Sequence, residues 1–195
     1  MSSMVNLGIK YLRIANSILL LGIIIIALLS ITFPVKFEEI GLSKLLEASP
    51  YIIITILTLT FELIYEFRGW KLIAIMDRAR YGVTYLWIRN FLYVGLPILI
   101  LSMFVKYVSN EVAFLLSIFY SVLGFITSIT RMLGYYRLGK AYVVRSVSIG
   151  GILVFIGTLL IMTLLGFALV LIGTLLLING LKVITQKFSP QQQAQ

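Results

Sequence analysis

The sequence contains no cysteine and no histidine, and only 7 of its 195 residues are acidic. Without cysteine there is no disulfide, no iron–sulfur ligation and no catalytic thiol, and the redox compartment leaves no mark on the composition. Without histidine the commonest metal ligand, the usual haem ligand and the usual general base near neutral pH are missing. Haem subunits, zinc hydrolases and Ser-His-Asp enzymes are thereby disfavoured. Neither a G-x-S-x-G elbow nor a G-x-x-x-x-G-K-[ST] phosphate loop occurs. An enzyme would have to work with a few Glu, Asp, Ser, Tyr and Lys side chains. The expectation is a non-enzymatic protein with no cofactor and no metal.

Charge of both signs is scarce at 12%, whereas 61% of the residues are hydrophobic and the mean hydropathy is +1.07. Soluble domains carry about 25% charged and about 45–50% apolar residues. The composition therefore argues against a water-soluble globule and for a polytopic, all-α membrane protein.

A spanning helix needs about 20 mainly apolar residues. Six such spans are predicted at about 14–33, 51–67, 83–108, 112–133, 147–165 and 167–184. They form a single membrane domain over residues 1–188, followed by a disordered tail at 189–195. The first span is too long for a secretory signal, lacks a small-x-small cleavage site, and is read as a retained helix that Pro34 ends. The second is entered through Ser49-Pro50, and Pro97 is expected to kink the third. Gly166 is the expected turn between the fifth and sixth.

The 16 basic residues outnumber the acids, for a net charge of +9. In a soluble protein that excess would suggest nucleic acid. Here 13 of the 16 fall on one side of the six spans: Lys10, Arg13, the segments 68–82 and 134–146 with the adjoining helix ends, and the C-terminus. The positive-inside rule then places both termini in the cytoplasm. Tyr81, Tyr85, Trp87, Tyr135, Tyr136 and Tyr142 interleave with these cations, as in an interfacial belt. The expected partners are the lipid bilayer, including anionic headgroups, and other membrane proteins or further copies of the chain, not nucleic acid. No small-molecule substrate is legible.

Polar residues inside the apolar zone form the candidate site. Thr55, Thr58, Glu62 and Glu66 share one face of the second span. Glu62 lies roughly 16 Å below Tyr51, close to the midplane of a core about 30 Å thick. Arg89 sits at a depth similar to Glu66, so Glu66–Arg89 is the expected ion pair. Ser117, Ser121, Gly124, Ser128 and Arg131 share a face of the fourth span. Two readings stay open: a seam that conducts protons or cations past Glu62, or interhelical hydrogen bonding between closely packed helices.

The C-terminal spans repeat Ile156-Gly157-Thr158-Leu159-Leu160 as Ile172-Gly173-Thr174-Leu175-Leu176. A hairpin centred near Leu165 would set Gly157 against Gly173 and Gly150 against Gly180, a packing device. Tyr11-Leu12-x-Ile14-x-Asn16 is echoed by Tyr85-Leu86-x-Ile88-x-Asn90, which suggests three helical hairpins in parallel orientation. Such repeats are common in transporters.

The run Gly134-Tyr135-Tyr136-Arg137-Leu138-Gly139-Lys140-Ala141-Tyr142, followed by Ser148-Ile149-Gly150-Gly151-Ile152, resembles the C-terminal part of domain of unknown function 973. The segment Gly69 to Gly82, with Asp77-Arg78-Ala79-Arg80-Tyr81-Gly82, resembles that family's middle cytoplasmic loop. The resemblance implies an archaeal multi-pass protein of the plasma membrane and supplies no activity or site residues. The expected function is a non-enzymatic scaffold or accessory subunit. The alternative is a small transporter or channel built around Glu62.

Overall fold

The computed structural model describes residues 2–32, 42–105, 109–160 and 163–188. The expected stop at Pro34, the charges Lys36, Glu38, Glu39 and Lys106, and the tail 189–195 lie outside them. Along the chain come α1 (Ser2–Thr32), α2 (Leu42–Met76), α3 (Arg78–Asn90), a π-helical segment (Phe91–Gly95), α4 (Leu96–Val105), α5 (Asn110–Ala141), α6 (Arg145–Leu159) and α7 (Leu164–Lys187). No strand occurs among the described residues.

Long apolar runs with few breakers explain why the helices are long. The two proline positions show how local constraints are absorbed. Pro97 has no N–H, and its ring crowds the carbonyl four residues back, at Tyr93. That residue lies in the π segment, where the Leu96 N–H donates to Phe91 O five residues earlier. Asn90, Phe91 and Leu96 all keep right-handed helical backbone angles, so α3 and α4 continue as one rod through a widened turn. Pro50, expected to open the second span, instead lies inside α2.

The basic segments 68–82 and 134–146, read as loops, are mostly helical. Only Asp77 separates α2 from α3, and its carboxylate accepts from the Arg80 N–H at 3.1 Å. Three residues separate α5 from α6. There the Val144 N–H donates to Gly139 O at 2.8 Å and the Val143 N–H to Lys140 O at 3.3 Å, while Val143 has φ 54°. This is a Schellman ending with valine where glycine normally stands.

The fifth span is shorter than expected. Helix α6 stops at Leu159 and its 15 residues reach only about 22 Å. The other five rods are long and apolar enough to cross a membrane. The turn also precedes its predicted position. Thr163, not Gly166, caps α7, its hydroxyl accepting from the Gly166 N–H at 3.0 Å. The hairpin register shifts accordingly. A Cβ on Gly150 would lie 2.8 Å from Gly173 O, and one on Gly157 would lie 2.8 Å from Gly166 O. Gly180 faces Ser146 and Val147. All four glycines line the α6/α7 contact, but Gly157 does not face Gly173, nor Gly150 Gly180.

Each rod packs on its neighbours in the chain, and α7 returns to α1, so the rods form a closed ring in chain order. Neighbours run antiparallel. On α1 and α2, Gly8 meets Gly69 and Gly22 meets Thr58. On α3 and α5, the Thr84 hydroxyl donates to Thr130 O at 2.9 Å. The apolar core sits toward one end, where Ile9, Leu12, Trp70, Tyr135, Leu181 and Ile184 are buried together. Outward, the rods expose large apolar side chains such as Leu28, Phe61, Phe114 and Phe119. In water, apolar area on that scale would drive association; in a bilayer it meets acyl chains. The chain is an all-α polytopic membrane protein.

Candidate functional site: a charge cluster inside the ring

Glu62 and Glu66 are one helical turn apart on α2, so both carboxylates leave the same face. That face points into the ring, where Glu62 is 2% and Glu66 0% exposed. Arg131 on α5 answers both. Its Nε donates to Glu66 Oε1 at 2.9 Å, and its Nη2 donates to Glu62 Oε1. Trp70, one turn beyond Glu66, donates its indole N–H to the same Oε1 at 3.2 Å. The Tyr135 hydroxyl, one turn beyond Arg131, donates to that oxygen at 3.3 Å. From α1, the Asn16 amide donates to the Tyr135 oxygen at 2.8 Å and to Leu12 O at 2.8 Å. Helices α1, α2 and α5 are thereby joined by one hydrogen-bonded chain.

The arrangement follows from four-residue steps. Glu62, Glu66 and Trp70 make a stripe on α2, and Arg131 and Tyr135 make its counterpart on α5. A buried ion pair is stable only when hydrogen bonds satisfy its remaining polar atoms. Glu66 Oε1 has three donors. Its Oε2 is buried without a hydrogen-bond partner among the described residues. Two carboxylates also face a single guanidinium, which leaves one acid in excess. No third acid joins them to make a metal cage among the described residues. Beside the cluster, a cavity of about 20 Å³ is lined by Asn16, Ser128, Arg131, Tyr135 and others. That volume admits about one water.

The expected Glu66–Arg89 pair does not form. Arg89 lies on the outer face of α3, and Arg131 takes its place at Glu66. Depth along a helix is readable by counting residues; the direction a side chain faces depends on how the helix is rotated in the ring. Ser121 is exposed and turns its hydroxyl back onto its own helix at Ser117 O, 2.8 Å away. Ser128 reaches the small cavity. Thr58 packs against Gly22. Asn16, Trp70 and Tyr135 lie outside the site expected from the sequence, which places Tyr135 in the interfacial belt. The four-residue spacing of Trp70 from Glu66 and of Tyr135 from Arg131 is a signal in the sequence that points to the two aromatics, and Asn16 on α1 has no such signal.

At the same end of the ring, Arg137 donates to Arg80 O at 2.8 Å and Lys187 to Tyr142 O at 2.8 Å. Tyr142 packs on Phe188, and burial pushes its phenol above the ordinary tyrosine range.

A family model described as "Protein of unknown function (DUF973)" matches residues 6–195. The chain belongs to the DUF973 family. No curated protein and no solved structure matches it. The DUF973 match spans every rod of the ring and every member of the charge cluster, from Asn16 to Tyr135.

Proposed function

We propose that this DUF973 protein is a non-enzymatic scaffold or accessory subunit of a membrane assembly. In this reading it lies in the plasma membrane with both termini cytoplasmic and packs against other membrane proteins or copies of itself. The observation that carries it is the double engagement of Arg131. The acids that would line a conduction path are buried and held by a cross-ring clamp, beside a space for about one water. Clamped interiors suit a rigid body that presents its outside. The ends tied by Arg137 and Lys187 carry most of the basic residues, which supports the cytoplasmic orientation. The test is purification from native membranes in mild detergent, with identification of what co-purifies. A stable complex with other membrane proteins supports the role, and a lone chain that conducts protons in liposomes overturns it.

A second reading, proton-coupled transport, is favoured by one observation. The surplus acid and Glu66 Oε2, which has no hydrogen-bond partner among the described residues, together suggest a place for one exchangeable proton. Glu62→Gln and Glu66→Gln variants in liposomes test it: flux that both abolish supports transport, and flux indifferent to both sinks it.

A further inference from the structure

On the outer side of the ring, between the last turns of α2 and the body of α3, lies an open groove of about 630 Å³. Three cations line it: Lys71, Arg78 and Arg89. All three are exposed, and none makes a hydrogen bond or ion pair among the described residues. No acid lines the groove. The nearest acid in sequence, Asp77, is turned to its own helix start, where Arg80 holds it. Elsewhere Arg131 has two carboxylates, Arg80 a carboxylate, and Arg137 and Lys187 a carbonyl each. Lys10, Arg13, Arg68, Arg145 and Lys182 stand singly without such a partner among the described residues. The groove brings three uncompensated cations to one concave space.

Arg89 makes the groove specific. It lies eleven residues beyond Arg78, about 16 Å further along the helix. A guanidinium on the lipid-facing side of a spanning rod requires an anionic partner or must reach for the interface. The groove joins it to Lys71 and Arg78 nearer the helix junction. Between the cations its lining is apolar, with Ile75, Val83 and Leu86. Tyr85, held against Phe67 with ring centroids 5.5 Å apart, adds an amphipathic wall. Positive charge above an apolar strip matches an amphiphile whose head is a phosphate diester and whose body is a hydrocarbon chain. Guanidinium groups bind phosphate oxygens through paired N–H donors, and basic pockets beside membrane helices hold anionic headgroups.

We propose that this groove is a binding site for an anionic phospholipid. The phosphate is held at the helix-junction end by Lys71 and Arg78. An acyl chain runs on along Val83 and Leu86, and the Arg89 guanidinium reaches back along the groove toward the headgroup. A free phosphate would satisfy the cations but leave the apolar strip unused, so the site is assigned to lipid.

The full chain, delipidated in a neutral detergent, is titrated with phosphatidylglycerol, phosphatidylcholine, glycerol phosphate and inorganic phosphate, and retained lipid is counted by native mass spectrometry. Phosphatidylglycerol is expected to be retained at least tenfold better than phosphatidylcholine. The Lys71→Gln/Arg78→Gln/Arg89→Gln variant should lose that preference. A control, Lys10→Gln/Lys140→Gln/Lys182→Gln, removes equal charge elsewhere on the protein and should keep it. Circular dichroism melting of both variants checks that they fold. Equal retention by the groove variant and the wild type overturns the site. So does an equal loss in the control, which would reduce the effect to net charge. Glycerol phosphate or inorganic phosphate competing as well as the lipid overturns the lipid assignment in favour of a soluble anion.

Discussion

Arg131 on α5 donates to Glu66 on α2 at 2.9 Å across 65 positions of sequence, and it engages Glu62 at the same time. Because α2 packs on α1 and α3, whereas α5 packs on α3, α4 and α6, this contact spans the inside of the ring rather than a packed helix seam. Among the described residues it is the ion pair that couples two rods by charge.

Removing the guanidinium leaves two buried carboxyl groups facing each other without compensation. Arg131→Met is expected to destabilise the protein by about 3–5 kcal/mol, the usual cost of stripping one partner from a buried pair. Adding Glu62→Gln and Glu66→Gln to it should restore much of that loss. Thermal melting in detergent reads both, and an additive triple variant would refute the coupling.

The Tyr135 hydroxyl joins Asn16 to Glu66. Tyr135→Phe should cost about 1 kcal/mol, the scale of a net hydrogen bond. Asn16→Leu should show a coupling of at least about 0.5 kcal/mol with it in a double-mutant cycle, because both act on one chain of donors. Independent effects would mean that the chain carries no shared energy.

Val143 is held at φ 54° and is 84% exposed, so its side chain contributes strain and little packing. Val143→Gly is expected to raise stability by about 1 kcal/mol, since a left-handed backbone costs a residue with a Cβ about 1–2 kcal/mol. A higher melting temperature checks this.

Two glycine substitutions should behave oppositely. A Cβ at Gly173 would lie 2.8 Å from Val154 N and 2.9 Å from Gly150 O, both backbone atoms that yield only if the helices part. Gly173→Ala should therefore cost about 1–3 kcal/mol. At Gly124 the nearest atom is Phe91 Cε2 at 3.5 Å, an ordinary contact. Gly124→Ala should be neutral or stabilising by up to about 1 kcal/mol through helix propensity.

The rods themselves were legible because hydrophobic length is a property of sequence neighbours. Their ends were less so. Charged segments such as 68–82 read as loops, yet Lys71 and Arg78 stand on helices that run past the apolar zone. The Ile-Gly-Thr-Leu-Leu repeat suggests a symmetry that the α6/α7 turn does not share. Thr163, a good helix-capping residue just before an apolar run, was the better guide. The sequence places Arg131 on a polar face without showing that Glu62 and Glu66 are its partners. Choosing between Arg89 and Arg131 requires the azimuth of each helix, which packing decides.

The ring in chain order imposes a schedule on assembly. Glu62 and Glu66 are synthesised 65–69 residues before the base that clamps them. At about 5–20 residues per second that is an interval of about 3–14 s. During it, the acids of the second rod are without the counter-ion carried by a rod still being made. A carboxyl entering an apolar medium alone does so most cheaply in its neutral, protonated form.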